Sequence, residues 1–459
     1  MLLNRKFIYI MLGLQFIGII LTLLFSNTIS ADNIEHLRMS FLVSEGYVPY
    51  RDFFEHHHPL MWYMFAPIIK VLPQNAILLF YVSRILSLSA SGALFYIIYR
   101  LFREFLGNRK QFIYFLAVVF SFFPLWYGVC IFKPDTFMRL FYFAGLYLFF
   151  RYIRDEKTKD LMYCGICFTV AFLFLQTIAF SILPLALPLG YVLYKKPSAV
   201  KQLALAAIPS LLLIGATIFA LIISGTWQAY FDLNWLLNKH VSGLFSLDKS
   251  SAVWNFLPLF VAAATIFILM YKKQNTSLYL NIIALLFVGE FIQHCIFLAL
   301  FPHYLINLLI FSALIIAVYL PQITNKTAIN YLYAFFIAFF ILNILALTSH
   351  PIKDTLKALK LLNNHQNATL LHIDYFTDQI YVPLRSYHTL GDDTLNLYNK
   401  LFNKAYPFDF VTYLSRNNIK YIDFKLAQTN RGKTLTDFIL NNYEPLTDNL
   451  WQLRENTEK

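Results

Sequence analysis

The chain has 459 residues, of which 58% are hydrophobic, 18% aromatic and only 14% charged, with a net charge of +12. Soluble proteins carry about 45–50% apolar and about 25% charged residues, so this composition excludes a soluble globular fold and equally a disordered chain. What remains is a polytopic α-helical membrane protein.

Apolar stretches long enough to span a bilayer are expected at about 7–25, 76–99, 111–131, 137–153, 161–178, 180–194, 202–223, 254–271, 277–300, 304–320 and 329–348, about eleven in all. The first, Phe7–Phe25, is longer than the apolar core of a signal peptide and reads as an uncleaved anchor. Pro184 and Pro188 interrupt the sixth, and the pair within 161–194 is short for two spans. The basic surplus sits in this part. Residues 1–348 hold 24 Lys+Arg against 13 Asp+Glu, whereas 349–459 hold 13 against 12. One set of alternate loops carries sixteen Lys+Arg, from Arg5 and Lys6 through Arg100, Arg103, Arg151, Arg154, Lys195 and Lys196 to Lys326, and the opposite set carries six. By the positive-inside rule the richer set faces the cytoplasm. That places the N-terminus inside and the segment after 348 outside a cytoplasmic membrane, with no basic run suited to nucleic acid. The four cysteines read as small core residues, because the Cys164/Cys167 pair has no second ligand pair at metal-binding spacing.

Three exterior regions exceed a simple turn: 26–75, 224–253 and 349–459. The first mixes Asp32, Glu35, Glu45, Asp52 and Glu55 with His36, His56, His57 and His58, interleaved with Tyr47, Tyr50, Phe53, Phe54, Trp62 and Tyr63. A merely solvated loop does not need that aromatic content, so a folded lid with polar groups aimed at a ligand is expected. Consecutive residues of an extended loop point opposite ways, so no more than two of the three adjacent histidines would face one site. In the second region Trp227, Tyr230, Phe231, Trp235, Leu236 and Leu237 recur at amphipathic-helical spacing and suit a membrane interface. The third, expected as a small exterior α/β domain, has strand-like pieces at 368–373 and 420–424 and helical pieces at 408–415 and 434–441.

Short exterior turns place Lys133 and His303 at the membrane boundary, where each suits an anion. Three charges fall within spans: Arg84, Arg139 and Glu290. Charge is costly in lipid and implies a polar cavity or a buried pair. Glu290, Gln293 and His294 share a helix face. No Gly-rich phosphate loop is present, since Gly432-Lys-Thr lacks the upstream glycine.

A first span, an acidic pair and an aromatic-rich loop ending in His-Pro-Leu together resemble the GT-C glycosyltransferase superfamily. The pattern is similar to the dolichyl-phosphate-mannose protein mannosyltransferases and the bacterial lipid A aminoarabinose transferases. The resemblance is carried by PYRDFFEHHHPL at 49–60, Lys-Pro-Asp at 133–135 and Pro-His-Tyr at 302–304. It differs where Asp32 is followed by Asn33 rather than by Glu. The resemblance implies inverting transfer of a sugar from a polyprenyl-phosphate donor to a hydroxyl on an envelope lipid, glycan or protein, outside the membrane. It implies Asp32 as base with Glu35 or Asp52 assisting. Arg84, Lys133, Arg139, His303 and Tyr304 are implied as partners of the donor phosphate. Arg51, Glu55, His56, His57, His58, Asp135 and Glu290 are implied as substrate contacts. Glu55 and His57 are the pair implied for a divalent cation. Two rivals are a lipid or solute transporter, which would crowd polar groups at the midplane on broken helices, and a non-catalytic assembly protein, which leaves the carboxylate–histidine loop unexplained.

Overall fold

The computed structural model describes residues 5–25, 31–53, 55–73, 75–107, 109–196, 198–238, 259–268, 271, 277–297, 305–320, 326–348, 369–372, 385–387, 415, 420–423, 433–446 and 450–454. In chain order, the long anchor helix α1 (Arg5–Phe25) is followed by α2 (Ala31–Ser44) and α3 (Leu60–Val71) of the first loop. α4 (Ala76–Leu101) runs into a π-helical turn, Phe102–Leu106, which Gly107 ends by donating its N–H to the Phe102 carbonyl. α5 (Arg109–Val119) and α6 (Phe123–Gly128) occupy the stretch expected as one span at 111–131. That expectation is corrected by Pro124. A proline has no N–H to give the Phe120 carbonyl four residues back. That carbonyl instead accepts the Trp126 indole N–H at 2.7 Å and Asn343 Nδ2 at 3.5 Å.

α7 (Pro134–Asp155) starts on a proline, favoured at a first helical position, and ends at Glu156, which is left-handed at φ 57°. α8 (Thr158–Phe174) is joined to it by Arg151–Asp160 at 3.2 Å. The two prolines expected to interrupt the next stretch do so mildly. α9 (Ile178–Ile182) and α10 (Ala186–Lys195) are linked by a 3₁₀ turn at Leu183–Leu185. Next come α11 (Ser198–Ile223), α12 (Trp227–Phe231) with a π-helical continuation Asp232–Leu237, α13 (Leu259–Ile268), α14 (Leu278–Phe297), α15 (Ile306–Tyr319) and α16 (Lys326–Thr348). By length and composition, four helices among the described residues can cross a membrane: Lys6–Leu24, Ile77–Leu106, Ile178–Lys195 and Ser198–Ile223. α7, α14 and α16, of 22, 20 and 23 residues, occupy three more of the expected stretches, and shorter helices lie in the others.

Toward the C-terminus five strands form one mixed sheet: β1 (Thr369–His372), β2 (Arg385–Tyr387), β3 (Tyr421–Asp423), β4 (Tyr443–Pro445) and β5 (Leu450–Leu453). Their order is β2-β1-β3-β5-β4, with β1 parallel to both neighbours and the remaining pairs antiparallel. α17 (Lys433–Asn442) precedes β4, and Ile422, Ile439, Tyr443 and Trp451 are buried. β1, β3 and α17 coincide with the expected strands and the second expected helix; the helix expected at 408–415 lies outside the described residues except for Ser415.

The chain divides into two compact units. One combines residues 1–28, 84–217 and 246–351, and the other combines 29–83, 218–245 and 352–459. In the first, α15 is buried along nearly its whole length, from Ile306 to Val318. An all-round apolar helix of that kind belongs in the interior.

Candidate active site

In the second unit, α2 carries Glu35 and His36 into the interior, where they are buried together with Leu37, Met39 and Phe41. Gly46, at φ 92°, ends this helix: its N–H reaches the Val43 carbonyl and the Tyr47 N–H reaches the Leu42 carbonyl, the paired bonds of a Schellman cap. The chain then turns tightly. The Asp52 carboxylate accepts the Val48 N–H at 2.7 Å and pairs with Arg51 at 2.9 Å. The Arg51 hydrogen bond holds the Asp52 carboxyl below its usual range. Tyr50 is left-handed at φ 67°, a costly conformation for an aromatic residue. Its hydroxyl donates to the His57 carbonyl, and burial raises its pKa.

This turn delivers Glu55 into a fully buried position. Oε1 of Glu55 accepts three donors: the His56 N–H at 2.8 Å, the His57 N–H at 3.2 Å and His57 Nδ1 at 2.7 Å. Oε2 of Glu55 accepts no hydrogen bond among the described residues. Burial pushes the Glu55 carboxyl up, but the charge and hydrogen bond of His57, with His56 and His36 behind it, outweigh burial. Glu55 is held ionised, well below the usual carboxylate range. The His36 ring meets the His57 ring edge-on at 4.8 Å, and Trp62 Nε1 donates to His36 Nδ1 at 3.2 Å. An indole N–H only donates, so in neutral His36 the proton sits on Nε2. Glu35, Glu55, His56 and His57 each offer one ligand atom, all within 4.8 Å of one another. Two carboxylates and two imidazoles suit a divalent cation of the zinc or manganese kind, and the unpaired Oε2 of buried Glu55 fits such a group. His58 is turned elsewhere, with Nδ1 3.4 Å from the Tyr230 hydroxyl. Burial, then the charge of His57, pushes its pKa down to about 3. Thus two of the three histidines face one site, but they are neighbours, because both their amides fold onto one carboxylate oxygen.

In the first unit a second polar group forms. Glu290 on α14 is buried, with Oε1 3.2 Å from Asn307 Nδ2 on α15 and Oε2 3.9 Å from His294 Nδ1. Arg139 pairs with Asp135 at 3.5 Å and lies near enough to Glu290 for their charges to attract. Tyr142 donates to the Ser181 carbonyl at 3.1 Å, and Ser181 to Gln293 Oε1 at 3.3 Å. Lys133 is buried immediately before the first turn of α7.

The structure therefore collects Glu35, Glu55, His56 and His57 in one unit, and Arg139, Asp135 and Glu290 in the other. Arg51 and Asp52 form the turn that presents Glu55. Arg84 donates to the Thr22 and Leu23 carbonyls at 3.2 and 2.5 Å, where it satisfies the C-terminal end of α1. Asp32 lies in the first turn of α2, but its side chain is outside the described residues, as are His303 and Tyr304. The fold adds Asn238 and Asn307, and gives contacts to His36, Trp62, Tyr230 and His294, to which the sequence assigned no role. For His36 the only sequence signal is its place beside Glu35 at the head of an acidic, aromatic-rich loop.

Residues 56–228, well under half of the chain, match the family model described as dolichyl-phosphate-mannose-protein mannosyltransferase. Among solved structures, ArnT from Cupriavidus metallidurans, bound to undecaprenyl phosphate, matches with a TM-score of 0.57 at 13% identity, covering 97% of both chains. At that identity the likeness is one of fold: a polytopic helical membrane protein. A comparison with curated proteins finds no match. Of the stretches that resemble the GT-C superfamily, residues 56–60 and 133–135 fall within the family-model match, and the solved structure shares the fold.

Proposed function

We propose that the chain is a GT-C-type glycosyltransferase that moves a sugar from a polyprenyl-phosphate donor to an acceptor hydroxyl at the outer face of the cytoplasmic membrane. The observation that carries this reading is the buried carboxylate–imidazole cluster of the first loop, at the edge of the region that the mannosyltransferase model matches. In the proposed step the acceptor oxygen bonds to the anomeric carbon. The bond from that carbon to the phosphate oxygen breaks, and its electron pair leaves with the polyprenyl phosphate. The configuration inverts in this single displacement. A phosphate leaving group needs positive charge more than a proton; Lys133 and Arg139 are assigned to supply that charge, and His303 and Tyr304 to donate hydrogen bonds to the phosphate. The acceptor proton goes to Asp32. Position 32 stands one helical turn before Glu35 and His36 on the same helix. Glu35, Glu55, His56 and His57 would hold a divalent cation, which would supply charge against phosphate or sugar oxygens. Asp135 and Glu290 are assigned to the substrate.

Mass spectrometry of envelope glycans and glycolipids from a deletion strain should show one sugar missing. Wild type should restore it. Asp32→Asn, inserted normally and still binding donor lipid, should turn over about 10²–10⁴-fold more slowly. Near-normal transfer by that variant would move the base to Glu35 or Asp52. An unchanged glycan profile together with a blocked lipid or solute flux would favour a transporter instead. Chelation should lower turnover and added zinc or manganese should restore it; insensitivity to chelators removes the cation and leaves the acid–base assignment standing.

A further inference from the structure

The helix formed by α12 and its π-helical continuation has two unlike faces. Trp227, Phe231, Trp235 and Leu236 are each 37–40% exposed, whereas Tyr230, Leu233, Asn234 and Leu237 are buried. The helix carries no cation. Its single charge, Asp232, accepts a hydrogen bond from Gln228 at 2.9 Å on its flank. An electrostatic grip on headgroup phosphates is therefore absent, and the exposed face has the chemistry of an aromatic membrane-interface belt. Its place agrees. α11, a 26-residue apolar helix able to cross a membrane, ends at Ile223. Only Ser224, Gly225 and Thr226 intervene before Trp227, with Gly225 at φ 70° making the turn. A helix leaving a span through so short a turn stays level with the headgroups.

The buried face holds the histidine loop. Tyr230 meets His58 and packs edge-on to Tyr50 at 5.6 Å. Asn238 Nδ2 donates to the His56 carbonyl at 2.7 Å and to the Asn234 carbonyl at 3.1 Å. The π-helical turn at Asp232–Leu237 matters here. Ordinary α-helical winding of the same six residues would carry Asn238 further round the axis and away from His56.

We propose that helix 227–238 is a lipid-seated latch: its aromatic face rests in the headgroup–acyl boundary of the membrane, and Asn238 positions the histidine loop through the His56 carbonyl. Lipid contact is thereby coupled to the geometry of Glu55 and His57, whose bonds start one residue on either side of His56. The inference needs the membrane reading but not the sugar-transfer reading, and its tests use no sugar substrate.

Full-length protein with its four cysteines changed to serine would carry a nitroxide at Trp227→Cys, Phe231→Cys or Gln228→Cys, in nanodiscs of phosphatidylethanolamine and phosphatidylglycerol. Labels at 227 and 231 should collide with oxygen more than with a nickel chelate, and the label at 228 should do the reverse. Equal nickel access at all three would overturn the lipid seat. Hydrogen exchange of residues 49–60, read by mass spectrometry in the same nanodiscs, tests the coupling. Asn238→Asp and Asn238→Leu remove the donor, and each should speed exchange of the His56 and His57 amides about tenfold, with α7 and α8 unchanged. Asn238→Gln, which keeps an amide donor, should recover most of the protection. Trp227→Gln with Phe231→Gln should also speed loop exchange. Unaltered loop exchange in the Asn238 variants would overturn the positioning role; unaltered exchange in the double variant would overturn its coupling to lipid.

Discussion

Glu55 shows how one buried side chain organises a loop: a single carboxylate oxygen gathers two amides and a ring nitrogen, and the other oxygen accepts no hydrogen bond among the described residues. Burying a charge without partners costs several kcal/mol, so the histidines around it stabilise the ionised form. His58 illustrates the opposite case. Its pKa of about 3 in the folded chain, against 6.5 as the ordinary value, follows from burial first and from the charge of His57 second. Below pH 6.5 the unfolded chain takes up a proton on His58 that the native chain refuses, so native stability falls as the pH falls through the window from 6.5 to 3. Each pH unit in that window costs about 1.4 kcal/mol. Glu55, with a depressed pKa, loses its own contribution only below the ordinary carboxylate value of 4.5. Thermal unfolding between pH 7 and 4.5 should therefore show an acid slope that His58→Gln flattens; an unchanged slope would assign it to other groups.

Among the helices, close approach decides where Glu290 can stand. A Cβ on Gly289 would lie 2.4 Å from Pro184 Cγ, the ring in the 3₁₀ turn between α9 and α10. Both groups are stiff, so α14 would have to move away from that turn. Gly289→Ala should lower stability by about 1–3 kcal/mol and disturb the Glu290–Asn307 bond and the Ser181–Gln293 bond on the same helix. Melting curves with cysteine cross-linking between α9 and α14 would check it, and wild-type melting would refute the contact. Breaks in regular helix follow similar local causes: Pro124 frees the Phe120 carbonyl for Trp126 and Asn343, and Pro184 tightens one turn without ending the run from Ile178 to Lys195.

For the molecule as a whole, charge sets orientation. The basic loops are tied together at one end of the first unit: Arg100 bonds Glu104 at 2.7 Å and Tyr147 at 2.7 Å, Tyr147 bonds Glu104 at 2.9 Å, and Arg154 reaches Glu104 at 3.3 Å. Sixteen Lys+Arg in this set of loops against six in the other predict that this end faces the cytoplasm. In a cysteine-free background, a membrane-impermeant maleimide applied to intact cells should label Glu444→Cys and miss Lys157→Cys. The reverse pattern would place the histidine loop on the wrong side for a polyprenyl-phosphate sugar donor made available outside.

Sequence alone determined the membrane class and marked the long apolar stretches, though not where helices such as α5 and α6 break, because a bilayer demands long apolar runs that composition cannot hide. It also singled out Asp32, Glu35, Glu55 and the histidines, because carboxylates and imidazoles among aromatics have no purely structural need to be there. What it could not contain were contacts made across long separations. Asn238 lies 182 residues from the His56 carbonyl it holds, and Tyr230 172 residues from His58. His36 joins His57 only because α2 is a buried helix rather than an extended strand of loop. Arg84 reaches the Thr22 and Leu23 carbonyls, 62 and 61 residues away, only through the packing of α4 against α1. Periodicity records which side of a helix is apolar, but the partner across the gap is chosen by packing. Tertiary structure therefore decided which polar side chains meet.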